Sequence, residues 1–151
     1  MVCINSVFFS GLVAKQVSPS YLSEMLNQSG VIPFELQSAP ELLTIRMEDG
    51  AISGTMPPQL SKLQKLAVLD LNFQNLSGPI PDSYYDFNFL IQLDLNDNQF
   101  TGTLSPDIGN LPFMLFLDVG NNRLEGLVPE GLSKLNFIGT LHNWTKCLFA
   151  I

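Results

Sequence analysis

Residues 93–106 read LDLNDNQFTGTLSP, and residues 69–81 read LDLNFQNLSGPIP. Taken singly, either is a short strand running into a turn. Leucine alternates with polar residues, and a Thr-Gly or Ser-Gly pair follows a few positions later. Taken together, with Leu69 and Leu93 as their first residues, they set a period of 24. Self-similarity at roughly 20–50 residues is the mark of a solenoid.

Sliding the chain by that period aligns Gly30, Gly54, Gly78, Gly102 and Gly126 without a gap. Two residues after each glycine stand Ile32, Met56, Ile80, Leu104 and Val128. Pro33, Pro57, Pro81 and Pro129 fill the next column, where Ser105 interrupts the run with Pro106 beside it. The strand columns agree: Leu42, Leu66, Leu90, Met114 and Ile138; then Ile45, Leu69, Leu93, Leu117 and Leu141; then Met47, Leu71, Leu95 and Val119.

Each column has a physical reading. Alternation of leucine with polar residues is a strand with one face buried. A chain that returns at a constant interval stacks these strands in parallel, so each coil hides its leucines against its neighbours. A glycine in every coil predicts a backbone position with positive φ or close approach. The proline after it fixes φ and rules out a continuing helix. Asn98 and Asn122 follow their strands by three residues, where an amide can bond loop backbone that stacking removes from water. That column reads Gly50, Gln74, Asn98, Asn122 and Lys146, which predicts an asparagine ladder intact only in the middle of the array.

LQKLAVLDLNFQNLSGPIP (Leu63 to Pro81) resembles the plant-type leucine-rich repeat, LxxLxxLxLxxNxLSGxIP. The resemblance covers Val31 to about Leu141 well and Ser18 to Gly30 weakly. It implies an α/β solenoid: a right-handed leucine-rich repeat superhelix of about five coils. Its parallel β-sheet would lie on the concave face, with mostly irregular or 3-10 segments on the convex side. Residues 1–17 read as an N-terminal apolar segment, 18–141 as the array and 142–151 as a fraying last coil, where Asn143 stands in place of a buried leucine. The family serves as ectodomains of receptor-like kinases and receptor-like proteins, and as polygalacturonase inhibitors. The absence of cysteine-paired caps leads us to expect a piece of a longer protein, membrane-anchored in the receptor case, with apolar edges at both end coils.

Composition narrows the function. Hydrophobic residues make up 46% of the 151-residue chain and charged residues 14%, with a net charge of −7. Such a chain has a core to build and is not a disordered tail. The acidic balance argues against nucleic acid or an anionic membrane, both of which attract clustered Lys and Arg. No apolar run reaches the roughly 18 residues of a membrane span. Val7 to Ala14 has the length of a signal-peptide core but no Lys or Arg before it, so it reads either as a leader remnant or as a degenerate coil. Cys3 and Cys147 lie six periods apart. At about 4.8 Å per strand that is about 29 Å, too far for a disulfide.

Catalysis finds little purchase. His142 is the sole histidine, and its nearness in sequence to Cys147 does not make a positioned triad. Facing carboxyls across a cleft are not what a solenoid surface provides. No catalytic residue, cofactor or metal site is expected. The expected role is recognition of a protein or peptide on the concave face, by a protein working outside the cell or at its surface.

Two columns carry that expectation. Arg46, Asp70, Asp94, Asp118 and His142 point outward between buried leucines. Stacked carboxylates about 5 Å apart repel by roughly 0.8 kcal/mol per pair in water. They read as a docking strip for a basic peptide, or more plainly as a habit of the scaffold, since LDL matches the repeat pattern itself. Phe89, Phe113 and Phe137 recur just before their strands, with Ile91, Leu115 and Phe116 close by. They form either an exposed apolar ridge suited to a partner or a filled rim between coils. The partner-binding residues we select are Arg46, Asp70, Phe73, Asp94, Asp97, Phe116 and Asp118, with Phe89 and Phe113 as the apolar rim. Sequons occur at Asn27, Asn75 and Asn143. Asn75, leaving a strand, and Asn27 are the candidate glycosylation sites; Asn143 falls at a buried position.

Overall fold

The computed structural model describes residues 2–4, 7–10, 30–47 and 52–135, and within them the 24-residue period is the pitch of a coil. Four strands, β3 (Thr44–Met47), β5 (Val68–Asp70), β7 (Gln92–Asp94) and β9 (Phe116–Asp118), pair in parallel in one sheet. Leu69 is registered on Leu93, and Leu93 on Leu117. The three strand columns are buried from Leu42 to Val119, most of them completely. Each such leucine contributes roughly 1.5–3 kcal/mol by leaving water, and no coil could realise that gain alone.

At the N-terminal side, β1 (Val2–Ile4) and β2 (Val7–Ser10) form an antiparallel pair, and β2 continues antiparallel onto β3. The edge of β3 is therefore covered by backbone pairing, and part of the Val7 to Ala14 run forms this strand. The far end of the array, with Phe137, His142, Asn143 and Cys147, lies outside the described residues, as does Asn27.

A second sheet was not foreseen. β4 (Ser53–Thr55), β6 (Asn75–Gly78) and β8 (Gln99–Phe100) pair in parallel on the far side of the asparagine column. Single bridges, Val31 to Ser53 and Thr103 to Glu125, carry the same pairing one coil further at each end. The Ser-Gly signature thus sits on a strand. Gly78 has φ of 79°, and a Cβ there would meet Thr55 Cγ2 of the preceding coil at 3.0 Å.

The outer crossings are 3-10 segments at the repeat period: Phe34–Ser38, Pro58–Lys62, Asp82–Asp86, Pro106–Asn110 and Glu130–Lys134. Prolines 33, 57, 81 and 129 cap them with extended backbone. Ser105, the exception, does the same work by accepting the Asp107 N–H on its hydroxyl. These crossings bury Leu36, Leu60, Tyr84, Ile108 and Leu132, and the Tyr84 hydroxyl donates to the Pro57 carbonyl at 2.9 Å.

The amide ladder runs one coil further than expected. Asn98 Oδ1 accepts the Leu76 N–H at 2.9 Å and its Nδ2 donates to the Leu71 carbonyl at 2.8 Å. Asn122 repeats this with Phe100 and Leu95. Gln74 Oε1 accepts from Ile52 N–H and its Nε2 donates to Met47 O. Its extra methylene still delivers the amide to the same two backbone groups.

Candidate functional site

The parallel register that stacks the leucines also stacks whatever lies between them. Thr44, Val68, Gln92 and Phe116 form one half-buried line across the sheet, and Arg46, Asp70, Asp94 and Asp118 form the next. Arg46 is exposed, and its Nε lies 3.5 Å from Asp70 Oδ2.

The following two carboxylates are sunk rather than displayed. Asp94 and Asp118 are each 7% exposed. Asp94 Oδ1 accepts from the Asn96 N–H and from Asn96 Nδ2, while Asn72 Nδ2 reaches Oδ2 at 3.5 Å. Asp118 Oδ1 accepts the Gly120 N–H at 2.9 Å and its Oδ2 receives Asn96 Nδ2 at 3.4 Å. The scaffold role of these aspartates is thus visible: they tie each strand to the loop that leaves it. Burial pushes the Asp94 carboxyl up to about 6, with Asp70 and Asp118 adding to the rise and the Asn96 and Asn72 hydrogen bonds opposing it.

Where the chain enters the sheet, the surface is apolar. The rings of Phe89 and Phe113 stack with centroids 5.8 Å apart and planes within 3°, and each residue is 53% exposed. Leu43, Ala67, Ile91 and Leu115 stand beside them, one per coil, and all but the partly covered Ala67 are exposed. Together with Lys65, Pro112 and Met114 they line an open groove of about 760 Å³. Sequence reasoning singled out the phenylalanines, Ile91 and Leu115 but passed over Leu43 and Ala67. Both sit in the Ile91 column at 24-residue steps, so the signal was present.

Where the chain leaves the sheet, Phe73, Asp97 and Asn121 occupy equivalent places with left-handed backbone, φ of 51°, 51° and 48°. Asn121 Nδ2 donates to Asp97 Oδ1 at 3.0 Å. Phe73 is 63% exposed. Asn75, on β6, is also exposed, while its backbone N–H donates to the Ile52 carbonyl. The selected residues therefore fall into three strips across the coils. Phe89 and Phe113 are at the entry rim; Arg46, Asp70, Asp94, Phe116 and Asp118 are on the sheet; Phe73 and Asp97 are at the exit.

A family model described as Leucine Rich Repeat matches residues 89–111 and 114–135. The plant peptide hormone receptor RGFR1, solved with RGF2, superposes with a TM-score of 0.68 at 34% identity, over 71% of this chain and 17% of that one. This is a plant-type leucine-rich repeat protein. The leucine-rich repeat ectodomain of the Arabidopsis receptor kinase HAESA, solved with an N-terminally extended IDA peptide hormone, gives a TM-score of 0.70 at 32% identity. That match covers 74% of this chain and 19% of that one. A plant ice-binding protein gives 0.65 at 30% identity, over 74% and 37%. No curated protein matches. The leucine-rich repeat chain thus spans less than a fifth of the length of these two receptors. The same coil holds receptors and an ice-binding protein, so the fold alone does not name a task.

Proposed function

We propose that this leucine-rich repeat chain is an extracellular recognition module that holds a protein or peptide partner across its concave sheet, without catalysis of its own. The observation that carries the reading is the exposed Phe89–Phe113 stack above the apolar groove. Contiguous apolar surface of this kind is uncommon on a monomer unless something covers it, and aromatic side chains are favoured anchors. Two of the similar structures are a peptide hormone receptor with RGF2 and a receptor kinase with an IDA peptide hormone, which supports a peptide as the class of partner. The mechanism is rigid display. Hydrogen-bonded strands hold Arg46, Asp70, Phe116 and their neighbours on a fixed grid, so a partner binds without the entropy cost of ordering the surface. Asn75 is proposed to carry an N-linked glycan on the second sheet.

The test is selection from a phage-displayed library of random dodecapeptides on the folded chain. Selected peptides are expected to bind the wild-type chain and to lose binding to Gln92→Arg on the sheet and Phe113→Ser on the rim, while both variants keep a cooperative thermal transition. Failure to enrich any peptide, or binding indifferent to both substitutions, overturns the reading.

A further inference from the structure

The entry rim and the aspartate column are separate strips in sequence, but the sheet joins them. Ile91, immediately before β7, and Asp94, the last residue of β7, lie three residues apart, about 10 Å at the rise of an extended chain. Asp94 therefore stands about that far from the apolar groove that Ile91, Phe89 and Phe113 line. The chain itself shows what the column accepts. In the first coil of the sheet the column residue is Arg46, whose guanidinium lies against Asp70 of the next coil. One coil further, the place of Arg46 is taken by Asp70 itself. Asp94 has no ion-pair partner among the described residues, its oxygens being held by amide and backbone N–H groups alone. A carboxylate offers about four acceptor sites, so these three neutral donors leave acceptor capacity unused on a carboxylate whose exposed part is 7%. The surroundings reinforce this, since Asp70 and Asp118 flank Asp94 in register.

We propose that the groove and Asp94 form one composite site for an extended cationic peptide. Such a peptide seats an aromatic or branched apolar side chain on the Phe89–Phe113 stack and a lysine or arginine, two or four residues away on the same face of the extended chain, over Asp94. The ligand cation continues for one more coil the pairing that Arg46 makes with Asp70. The apolar contact supplies most of the affinity, and the cation sets direction and register, because a carboxylate flanked by like charges penalises an acidic or misregistered ligand. This inference rests on the peptide-recognition reading and specifies the chemistry of that partner.

The same displayed dodecapeptides test it. The enriched sequences are expected to share an aromatic or branched apolar residue with Lys or Arg two or four positions away. The best of them, made synthetically, should bind Asp94→Asn and Phe113→Ser at least about tenfold more weakly than wild type. Its Arg→Glu version should not bind. Leu127→Ser, on an exposed residue outside the groove, should bind as wild type does, and circular dichroism melts confirm that every variant is folded. Peptides that bind and compete with one another but lack the spaced cation, or that bind Asp94→Asn as tightly as wild type, overturn this inference and leave the recognition reading standing. If no peptide enriches, both fall.

Discussion

Phe73 and Asp97 stand one coil apart with the same left-handed backbone, φ of 51° in each, yet they differ in how well they tolerate it. Aspartate and asparagine enter this region readily because a short polar side chain can bond local backbone, whereas for other side chains it costs roughly 1–2 kcal/mol. Phe73 is also exposed, so its ring recovers little of that cost by burial. Phe73→Asn is therefore expected to stabilise the fold by about 0.5–1 kcal/mol, read as a higher urea midpoint at unchanged m-value. If Phe73 meets the partner, the same substitution weakens binding as it strengthens the fold.

The amide ladder makes a second prediction. Asn98→Ala orphans the Leu76 N–H and the Leu71 carbonyl, both served by the one side chain. A buried unsatisfied backbone group costs about 1–3 kcal/mol, so the loss should total roughly 3 kcal/mol. Asn98→Gln should cost much less, because Gln74 already performs this function one coil earlier. Chemical denaturation of the two variants side by side gives the answer. Equal losses would mean that the amide contributes through packing rather than hydrogen bonding.

Asp94 should leave a trace in the pH dependence of stability. Its carboxyl is pushed from 3.8 up to about 6 in the fold, so between those values the native state binds more protons than the unfolded chain. Stability then falls as pH rises through that window. The contribution is present below about pH 4 and largely lost by about pH 6, by roughly 3 kcal/mol. Subtracting the stability curve of Asp94→Asn isolates this residue from the other carboxylates, and the difference should be flat above about pH 7.

Gly131 is expected to be intolerant of any side chain. A Cβ there would lie 1.8 Å from the Pro106 carbonyl oxygen, because the last two 3-10 crossings meet backbone to backbone. Gly131→Ala should cost about 1–3 kcal/mol or more through overpacking. Thermal melts would show it, and a neutral result would mean that the crossings can slide apart.

Asn75 predicts a mobility shift. Expressed through a secretory pathway, the chain should lose mass on treatment with an endoglycosidase, and Asn75→Gln should abolish the part of that loss due to this sequon. Ser77→Ala should act in the same way, since the hydroxyl completes the acceptor motif.

Much of this architecture follows from the sequence because a solenoid repeats one local problem. The buried positions of Leu69, Leu93 and Leu117 recur at a fixed interval, so each coil corroborates the next and the period, the strand columns and the 3-10 crossings after the prolines can all be read without coordinates. Gln74 was misread because residue identity was taken for chemical role, and an amide on a longer stem reaches the same backbone. The second sheet escaped because the Ser-Gly stretch has no alternation of its own; its strands exist only because neighbouring coils present backbone to one another. The depth of Asp94 and the exposure of Phe89 and Phe113 were likewise beyond the pattern. A period assigns a side chain to a column and a face, but its distance from water depends on the loops and rings that adjacent coils fold over it, and only the three-dimensional packing decides that.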